Sequence, residues 1–281
     1  RVIYAATSGF GQTGPERLRP ALDVVVQGMG GIMSITGEPG GRPVRPGASL
    51  GDITGGLFTV IGVLAALHER ERSGLGQMVD VSMLDCQIAV LENAFVRYFA
   101  TGEVPKPLGT RHPLATPFQA FPTKDGYIVL ALSWGVESQW ELLLVKIGRE
   151  DLIDDPRFDS PQARNEHHAE LEPILSEALQ RKTTAEWVRE FDSIGVPCGP
   201  LNDIAQSAAQ PQVKAREMLI PVRHPKIGEM PLPNTPVKLS RTPGGIKGPS
   251  PELGQHTVEV LSELLGLSES QIEELRRLEI I

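Results

Sequence analysis

Cysteine is scarce in this chain: its 281 residues include only Cys86 and Cys198. Two cysteines cannot supply the disulfide framework of a small secreted protein, so they fit a reducing compartment, and we expect a cytoplasmic protein. Neither cysteine has a histidine or a basic residue beside it that would activate the thiol, so both are predicted to be small core residues. No spacing of histidine, cysteine and acidic residues is typical of a metal site, and we expect no metal.

Long apolar runs and positive charge are lacking as well. The longest uncharged apolar run, residues 55–67, is too short to cross a bilayer, and no signal peptide is evident. The formal net charge of −8 argues against broad nucleic-acid binding. With 40% hydrophobic and 22% charged residues, the chain has the composition of a globular protein with a substantial core. We therefore expect neither a membrane nor a nucleic acid as a partner.

The most informative stretch is a glycine-rich turn, residues 47–56, that contains a single carboxylate, Asp52. Behind it, the pattern predicts a helix from about Gly55 to Arg72 that is apolar on nearly every face and therefore buried. At the start of such a helix, an aspartate either caps the N-terminus or serves as an ionised nucleophile beside the helix dipole. Taken alone, the turn favours the cap.

A second glycine motif, residues 9–14, has the G-x-G-x-x-G spacing of dinucleotide-binding loops. That function requires a helix that opens at the third glycine, so that its N-terminus holds the pyrophosphate. Here Pro15 and Pro20 flank charged residues, which predicts a loop instead. The sequence therefore disfavours a nicotinamide-dependent oxidoreductase and predicts that these glycines turn the chain away from the end of a strand.

Periodicity predicts mixed α/β structure in the rest of the chain. Strands are expected at 1–7 and 77–82, in a hairpin at 118–132 with its turn at 124–126, and in proline-broken segments at 220–225 and 230–233. A short helix is expected within 21–33, ending at Gly30–Gly31. Further helices are expected at 83–100, 137–147, 162–181 and 184–194, and near the C-terminus, where Ser268 and Gln271 are predicted to form a capping box. Residues 102–117, rich in proline and glycine, are interpreted as a linker.

Several short motifs, taken together and in order, resemble the class III coenzyme A transferases, the family of formyl-CoA transferase and the carnitine CoA-transferases. The matching segments are spread over the whole chain: 8–15, 35–37, 51–56, 72–77, 121–127, 195–200 and 253–257. No single segment is decisive, but the ordered set is specific.

The resemblance implies an α/β fold with a Rossmann-like large domain, a smaller α+β domain and an interlocked homodimer. Residues 1–105 would form part of the large domain, 106–214 the small domain with its linkers, and 215–281 a return to the large domain. The resemblance also implies that an N-terminal segment of a full-length member is missing here.

By resemblance, Asp52 is the catalytic nucleophile. A carboxylate suits this task because its attack on a thioester gives a mixed anhydride that is itself activated. The helix end would favour the ionised form, its backbone N–H groups would stabilise developing negative charge, and Gly51, Gly55 and Gly56 would let the thioester approach the backbone.

The resemblance assigns two further segments to CoA and substrate binding. The first is Ala21, Leu22 and Asp23, where Asp23 either lies beside the thioester or is only a surface carboxylate on a short helix. The second comprises Gly109, Thr110, Arg111 and His112, where some members carry a run of glycines and this chain has one. Arg111 could pair with a dicarboxylate and His112 could donate to an acyl oxygen, or the loop is an exposed linker.

The predicted function is a CoA-transferase that moves CoA, supplied as a substrate thioester, between small carboxylic or dicarboxylic acids. An α-methylacyl-CoA racemase shares the fold, but by resemblance it needs a histidine where this chain has Leu22. A catalytically inactive fragment or assembly subunit is the remaining alternative.

Overall fold

The computed structural model describes residues 1–133 and 135–281. The strands are β1 Tyr4–Ser8, β2 Met78–Ser82, β3 Phe118–Pro122, β4 Tyr127–Ala131, β5 Cys198–Pro200, β6 Leu219–His224 and β7 Gly228–Pro233. The helices are α1 Asp23–Met29, α2 Ile32–Ile35, α3 Leu50–Ser73, α4 Met83–Val90, α5 Glu92–Thr101, α6 Ser138–Ile147, α7 Pro161–Glu166, α8 His168–Leu179, α9 Thr184–Asp192, α10 Ile204–Ala209, α11 Pro211–Ala215, α12 Thr257–Leu265 and α13 Glu269–Arg277. A 3₁₀ helix at Glu150–Leu152 follows α6.

The chain packs as two units, residues 1–201 and 202–281. In the first unit, β1 pairs in parallel with β2, and β3, β4 and β5 form an antiparallel sheet. In the second unit, β6 and β7 form an antiparallel hairpin, followed by α12 and α13. The predicted hairpin of β3 and β4, the two proline-containing strands β6 and β7, and the capping box of Ser268 with Gln271 are confirmed. The domain boundaries at 105/106 and 214/215 stay predictions.

Helix α3 is the crossover that parallel pairing of β1 with β2 requires. It begins at Leu50, five residues before the predicted start, and ends at Gly74, whose φ of 75° allows the left-handed cap. The prediction that the helix is buried on nearly every face is wrong for this chain. Large apolar side chains along it are half or more exposed: Ile53, Leu57, Val60, Ile61 and Leu64.

By length and composition alone, the 24-residue helix α3 could cross a membrane. The uncharged apolar run within it, residues 55–67, is shorter than the helix. One such helix is weak evidence for a membrane span, because core helices of soluble proteins meet the same criterion of length and hydropathy.

The main hydrophobic core lies between residues 121 and 196, inside the range predicted for the small domain. Trp187 and Phe191, one turn apart on α9, stack with ring centroids 5.2 Å apart, and the indole Nε1 donates to the Leu179 carbonyl at 2.6 Å. Cys86 is buried, and burial raises its pKa. Burial also raises the pKa of the half-buried Cys198, to about 11. Both thiols are therefore poor nucleophiles, as predicted.

The first helix ends at Gly30–Gly31 as predicted, and the short helix α2 follows it. Gly31 adopts a φ of 96°, and a Cβ at Gly30 would lie 2.5 Å from the Cβ of Gln87, so these glycines allow a sharp turn and close packing. Two other predicted helices are each divided in two, at Leu91 between α4 and α5 and at His167 between α7 and α8.

Replacing Trp187 with alanine is expected to lower the free energy of unfolding by about 3–5 kcal/mol, because it empties a fully buried site and removes an indole hydrogen bond. Urea denaturation followed by circular dichroism measures this change. Val145→Ala, at a half-exposed position of α6, is the control and should change stability by less than about 1 kcal/mol. Equal effects of the two substitutions would contradict this placement of the core.

Candidate active site

Asp52 is the third residue of α3, and its side chain is exposed. Ser49, not Asp52, occupies the N-cap position, so the capping interpretation of Asp52 is wrong. In the described part of the chain, the Asp52 carboxylate has no hydrogen-bond or ion-pair partner. It therefore lies in the first turn, where the helix dipole favours negative charge, and is open to solvent.

The buried carboxylate of Asp23 holds the first turn of α3. Asp23 is only 8% exposed, and its Oδ1 accepts the backbone N–H of Gly51 at 2.8 Å. The backbone N–H of Asp52 also contributes to lowering the pKa of this carboxylate. Asp23 thus takes the place of a side-chain N-cap, which Ser49 does not provide.

Two side chains complete the Asp23 cluster, which we define as Asp23, Gln27, Arg45 and Ser49. The Gln27 Nε2 donates to both Asp23 oxygens at 2.9 and 2.7 Å. The Arg45 Nη2 donates to Asp23 Oδ2 at 3.2 Å and to Ser49 Oγ at 3.0 Å. Burial alone would raise the pKa of Asp23, but the hydrogen bonds from Gln27, Gly51, Arg45 and Asp52 together hold it below its ordinary value. The interpretation of Asp23 as only a surface carboxylate on a short helix is therefore wrong.

Three backbone N–H groups at the start of α3 are already occupied. Leu50 and Ile53 donate to the carbonyls of Ala48 and Ser49, each at 2.9 Å, and Gly51 donates to Asp23. The expectation that N–H groups at this helix end stabilise developing negative charge stays a prediction.

The glycines around Asp52 serve packing more than ligand approach. A Cβ at Gly51 would lie 2.7 Å from Val26 Cγ2, and one at Gly55 would lie 3.3 Å from Met83 Cγ. These two glycines let α3 approach α1 and α4 closely. Of the three, only Gly56 has open space in the position that a side chain would take.

Ala21 and Leu22 lie immediately before α1, with Leu22 as its N-cap residue. Leu22 is 73% exposed, whereas Asp23, the next residue, is buried. The structure therefore brings the segment 21–23 to the start of α3 through Asp23. Its role in CoA and substrate binding stays a prediction.

The loop Gly109–His112 makes its contacts elsewhere in the first unit. Gly109, with a φ of 63°, donates its N–H to the Gly37 carbonyl at 2.8 Å. Thr110 Oγ1 accepts the Ala120 N–H at 3.1 Å, and the His112 ring lies 4.9 Å from that of Phe118. Burial, with the Arg97 charge, lowers the pKa of His112, which keeps the imidazole neutral near pH 7.

Arg111 is bonded to a partner outside the Asp23 cluster. Its Nη2 donates to the backbone carbonyl and to Oδ1 of Asn165 at 3.0 and 2.8 Å, and burial lowers its pKa against the opposing charge of Glu172. Together with His168 and Glu38, Arg111 lines a cleft of about 700 Å³. The role of this loop in substrate binding stays a prediction.

A carboxylate accepts a backbone N–H group of the G-x-G-x-x-G motif. The Gln12 N–H donates to both oxygens of Asp80, at 3.2 and 3.0 Å, and residues 10–22 form no helix. An anion would have to compete with Asp80 for this N–H group, and no helix N-terminus opens at Gly14 to hold a pyrophosphate.

Sequence reasoning missed Gln27 and Arg45. Gln27 lies four residues after Asp23, so helical spacing alone could have placed both on one face. Arg45 lies in an irregular segment rich in proline and glycine, and its pairing with Asp23 is set by tertiary structure. Among residues 1–133 and 135–281, no group of three or more His, Cys, Asp or Glu is arranged to hold a metal ion.

The chain belongs to CoA-transferase family III, whose model matches residues 1–257. It is 38% identical over 264 residues to the succinate–glutarate CoA-transferase of Agrobacterium fabrum, covering 94% of this chain and 66% of that protein. It is 42% identical over 241 residues to the acetyl-CoA:oxalate CoA-transferase of Acetobacter aceti, covering 85% and 60%. The chain thus spans less than two thirds of either relative.

The fold is also that of solved family structures. The crystal structure of a CaiB/BaiF family protein from Brucella suis matches 94% of this chain and 68% of that chain, with a TM-score of 0.80 and 37% identity. The family resemblance found in the motifs and the mixed α/β fold class are therefore confirmed.

Gly51→Ala is expected to destabilise the protein by about 1–3 kcal/mol, because its Cβ would overlap Val26 and displace the first turn of α3. Gly56→Ala, five residues along the same helix, meets open space and should stabilise it by up to about 1 kcal/mol. Thermal unfolding of the two variants measures the difference. A Gly51→Ala variant as stable as Gly56→Ala would contradict the packing of α3 on α1.

Asp23→Asn is expected to lower stability at pH 7 by about 1–2 kcal/mol, because charge-assisted hydrogen bonds to a buried acceptor are lost. The pKa of Asp23 is lower in the folded protein than its ordinary value of 3.8, so ionised Asp23 stabilises the fold above that pH. This contribution is lost as the pH falls through the folded-state pKa. Urea denaturation between pH 7 and pH 3 should show the two proteins converging; a constant gap would refute the assignment.

Proposed function

We propose that this chain acts in a CoA-transferase that moves CoA from an acyl-CoA to a free carboxylic acid, with Asp52 as the covalent carrier. The observation that carries the proposal is the placement of Asp52: an exposed carboxylate in the first turn of α3, with that turn fixed by buried Asp23. Family membership and relatives named as CoA-transferases support the same reaction class.

The first half-reaction begins when the Asp52 carboxylate attacks the thioester carbonyl. A C–O bond forms, the C–S bond breaks, and CoA leaves as a thiolate, which gives a mixed anhydride. The thiolate then attacks the Asp52 carbonyl carbon. The donor acid leaves as a carboxylate with one of the original Asp52 oxygens, and CoA is held as an aspartyl thioester.

The second half-reaction is the reverse with a new acid. The incoming carboxylate attacks the aspartyl thioester, releases the thiolate and forms a second anhydride. Attack of the thiolate on the acyl carbon of the new acid yields the new acyl-CoA and restores the Asp52 carboxylate. Each step exchanges one acyl bond for another, so the thioester energy is conserved without an oxidant, a reductant or a net proton change.

The acids that exchange CoA are proposed to be small dicarboxylates. The names of the two relatives specify succinate, glutarate and oxalate, each with two carboxyl groups, and acetyl-CoA as a thioester. A charged second carboxylate needs a cationic partner, and guanidinium groups suit this recognition.

We also propose that residues 1–105 form part of a Rossmann-like large domain and that the protein assembles as an interlocked homodimer. The parallel pairing of β1 with β2 through α3 supports the first point. The row of exposed apolar side chains on α3, including Leu57, Ile61 and Leu64, supports the second, since such surfaces are usually covered.

Mass spectrometry with a chemical trap tests the proposed function. Incubation with succinyl-CoA and hydroxylamine should convert Asp52 to its hydroxamate, because hydroxylamine cleaves the aspartyl thioester. Asp52→Asn should lower the rate of CoA transfer from succinyl-CoA to glutarate by at least about a thousandfold, since the nucleophile is lost.

Asp85→Asn is the matched control, because Asp85 is an exposed aspartate in the first turn of another helix, α4. It should retain both transfer and trapping. Label on a residue other than Asp52, or normal turnover of Asp52→Asn, would overturn the proposal. A wild-type chain that takes no label and transfers no CoA would favour an inactive fragment.

A further inference from the structure

Arg45 is the cation of the Asp23 cluster, and only one of its three guanidinium nitrogens has hydrogen-bond partners. Both of its bonds, to Asp23 and to Ser49, use Nη2. In the described part of the chain, Nε and Nη1 have no hydrogen-bond partner, and the side chain is 41% exposed. Three N–H groups of the guanidinium therefore remain for a ligand.

The Asp23 cluster fixes Arg45 close to Asp52. One Asp23 carboxylate accepts hydrogen bonds from both the Arg45 guanidinium, at 3.2 Å, and the backbone N–H of Gly51, the residue before Asp52, at 2.8 Å. Because both bonds end on the oxygens of one carboxylate, the donating Arg45 nitrogen lies within roughly 8 Å of the Gly51 backbone nitrogen. A diacid of four or five carbons is long enough to reach from one to the other.

We infer that Arg45 binds the remote carboxylate of a dicarboxylic substrate while the other carboxyl group reacts at Asp52. The inference deepens the proposed function and rests on it for the identity of the reacting group. It makes Arg45 a specificity-determining residue: a diacid gains a charge-assisted contact that a monoacid of the same length cannot make.

Arg111 and Arg42 fit this role less well. Arg111, which the sequence suggested for it, donates through Nη2 to Asn165, outside the Asp23 cluster. Arg42 lies in the same segment as Arg45 and is exposed, but it forms no hydrogen bond or ion pair in the described part of the chain. Arg45 is held in place before a ligand arrives, so binding orders less of its side chain.

Equilibrium binding of two acids tests the inference. Succinate and butyrate have the same carbon count, and a methyl group in butyrate replaces the second carboxylate. Isothermal titration with the 281-residue chain should show that Arg45→Gln raises the Kd for succinate by roughly 10- to 100-fold and changes that for butyrate little. Arg42→Gln, the matched control, should bind both acids as the wild type does, and Arg45→Lys should recover part of the succinate affinity.

Each outcome separates this inference from the proposed function. Equal weakening of both acids in Arg45→Gln would mean that Arg45 only steadies Asp23, and it would overturn the inference. Unchanged succinate binding would overturn it as well. Selective loss of succinate binding supports it even if the wild-type chain transfers no CoA, and in that case the proposed function alone fails.

Discussion

The structure around Asp52 depends on one buried carboxylate at the start of a helix. Asp23 accepts the Gly51 N–H at 2.8 Å, and so supplies the negative charge and the acceptor that Ser49 does not provide through its side chain. The helix dipole and the hydrogen bonds stabilise ionised Asp23 together. Because Asp23 satisfies this end of α3, the next carboxylate along, Asp52, is left exposed and without an assigned partner among the described residues.

The buried position of Asp23 beside the first turn of α3 explains the glycine at position 51. A side chain there would overlap Val26 and crowd Asp23, so glycine allows α3 to approach α1 closely enough for the hydrogen bond to form. Asp23 acts through the backbone of α3 and is therefore a positioning residue. Gln27 and Arg45 in turn hold the Asp23 side chain in place. The placement of Asp52 therefore depends on residues well outside the Gly-Asp turn.

Much of the fold could be predicted from local sequence. The hairpin of β3 and β4, the capping box at Ser268 and the end of α12 at Gly266 follow from turn and cap chemistry between residues close in sequence. The start of α3 could not be predicted in this way. Glycine at position 51 has poor helix propensity, and the helical turn there is stabilised by Asp23, which lies 28 residues earlier. The exposed apolar face of α3 was missed because a sequence pattern shows which residues are apolar but not what covers them.

Isotope transfer from the acceptor acid tests the central claim most directly. If Asp52 carries CoA through anhydrides, turnover with a carboxylate-labelled ¹⁸O acceptor must leave ¹⁸O in the Asp52 side chain, because the bridging oxygen stays with aspartate when the thiolate attacks. Peptide mass analysis should find the label in the peptide that contains Asp52 and in no other. Formation of the new acyl-CoA with no ¹⁸O in Asp52 would contradict the account.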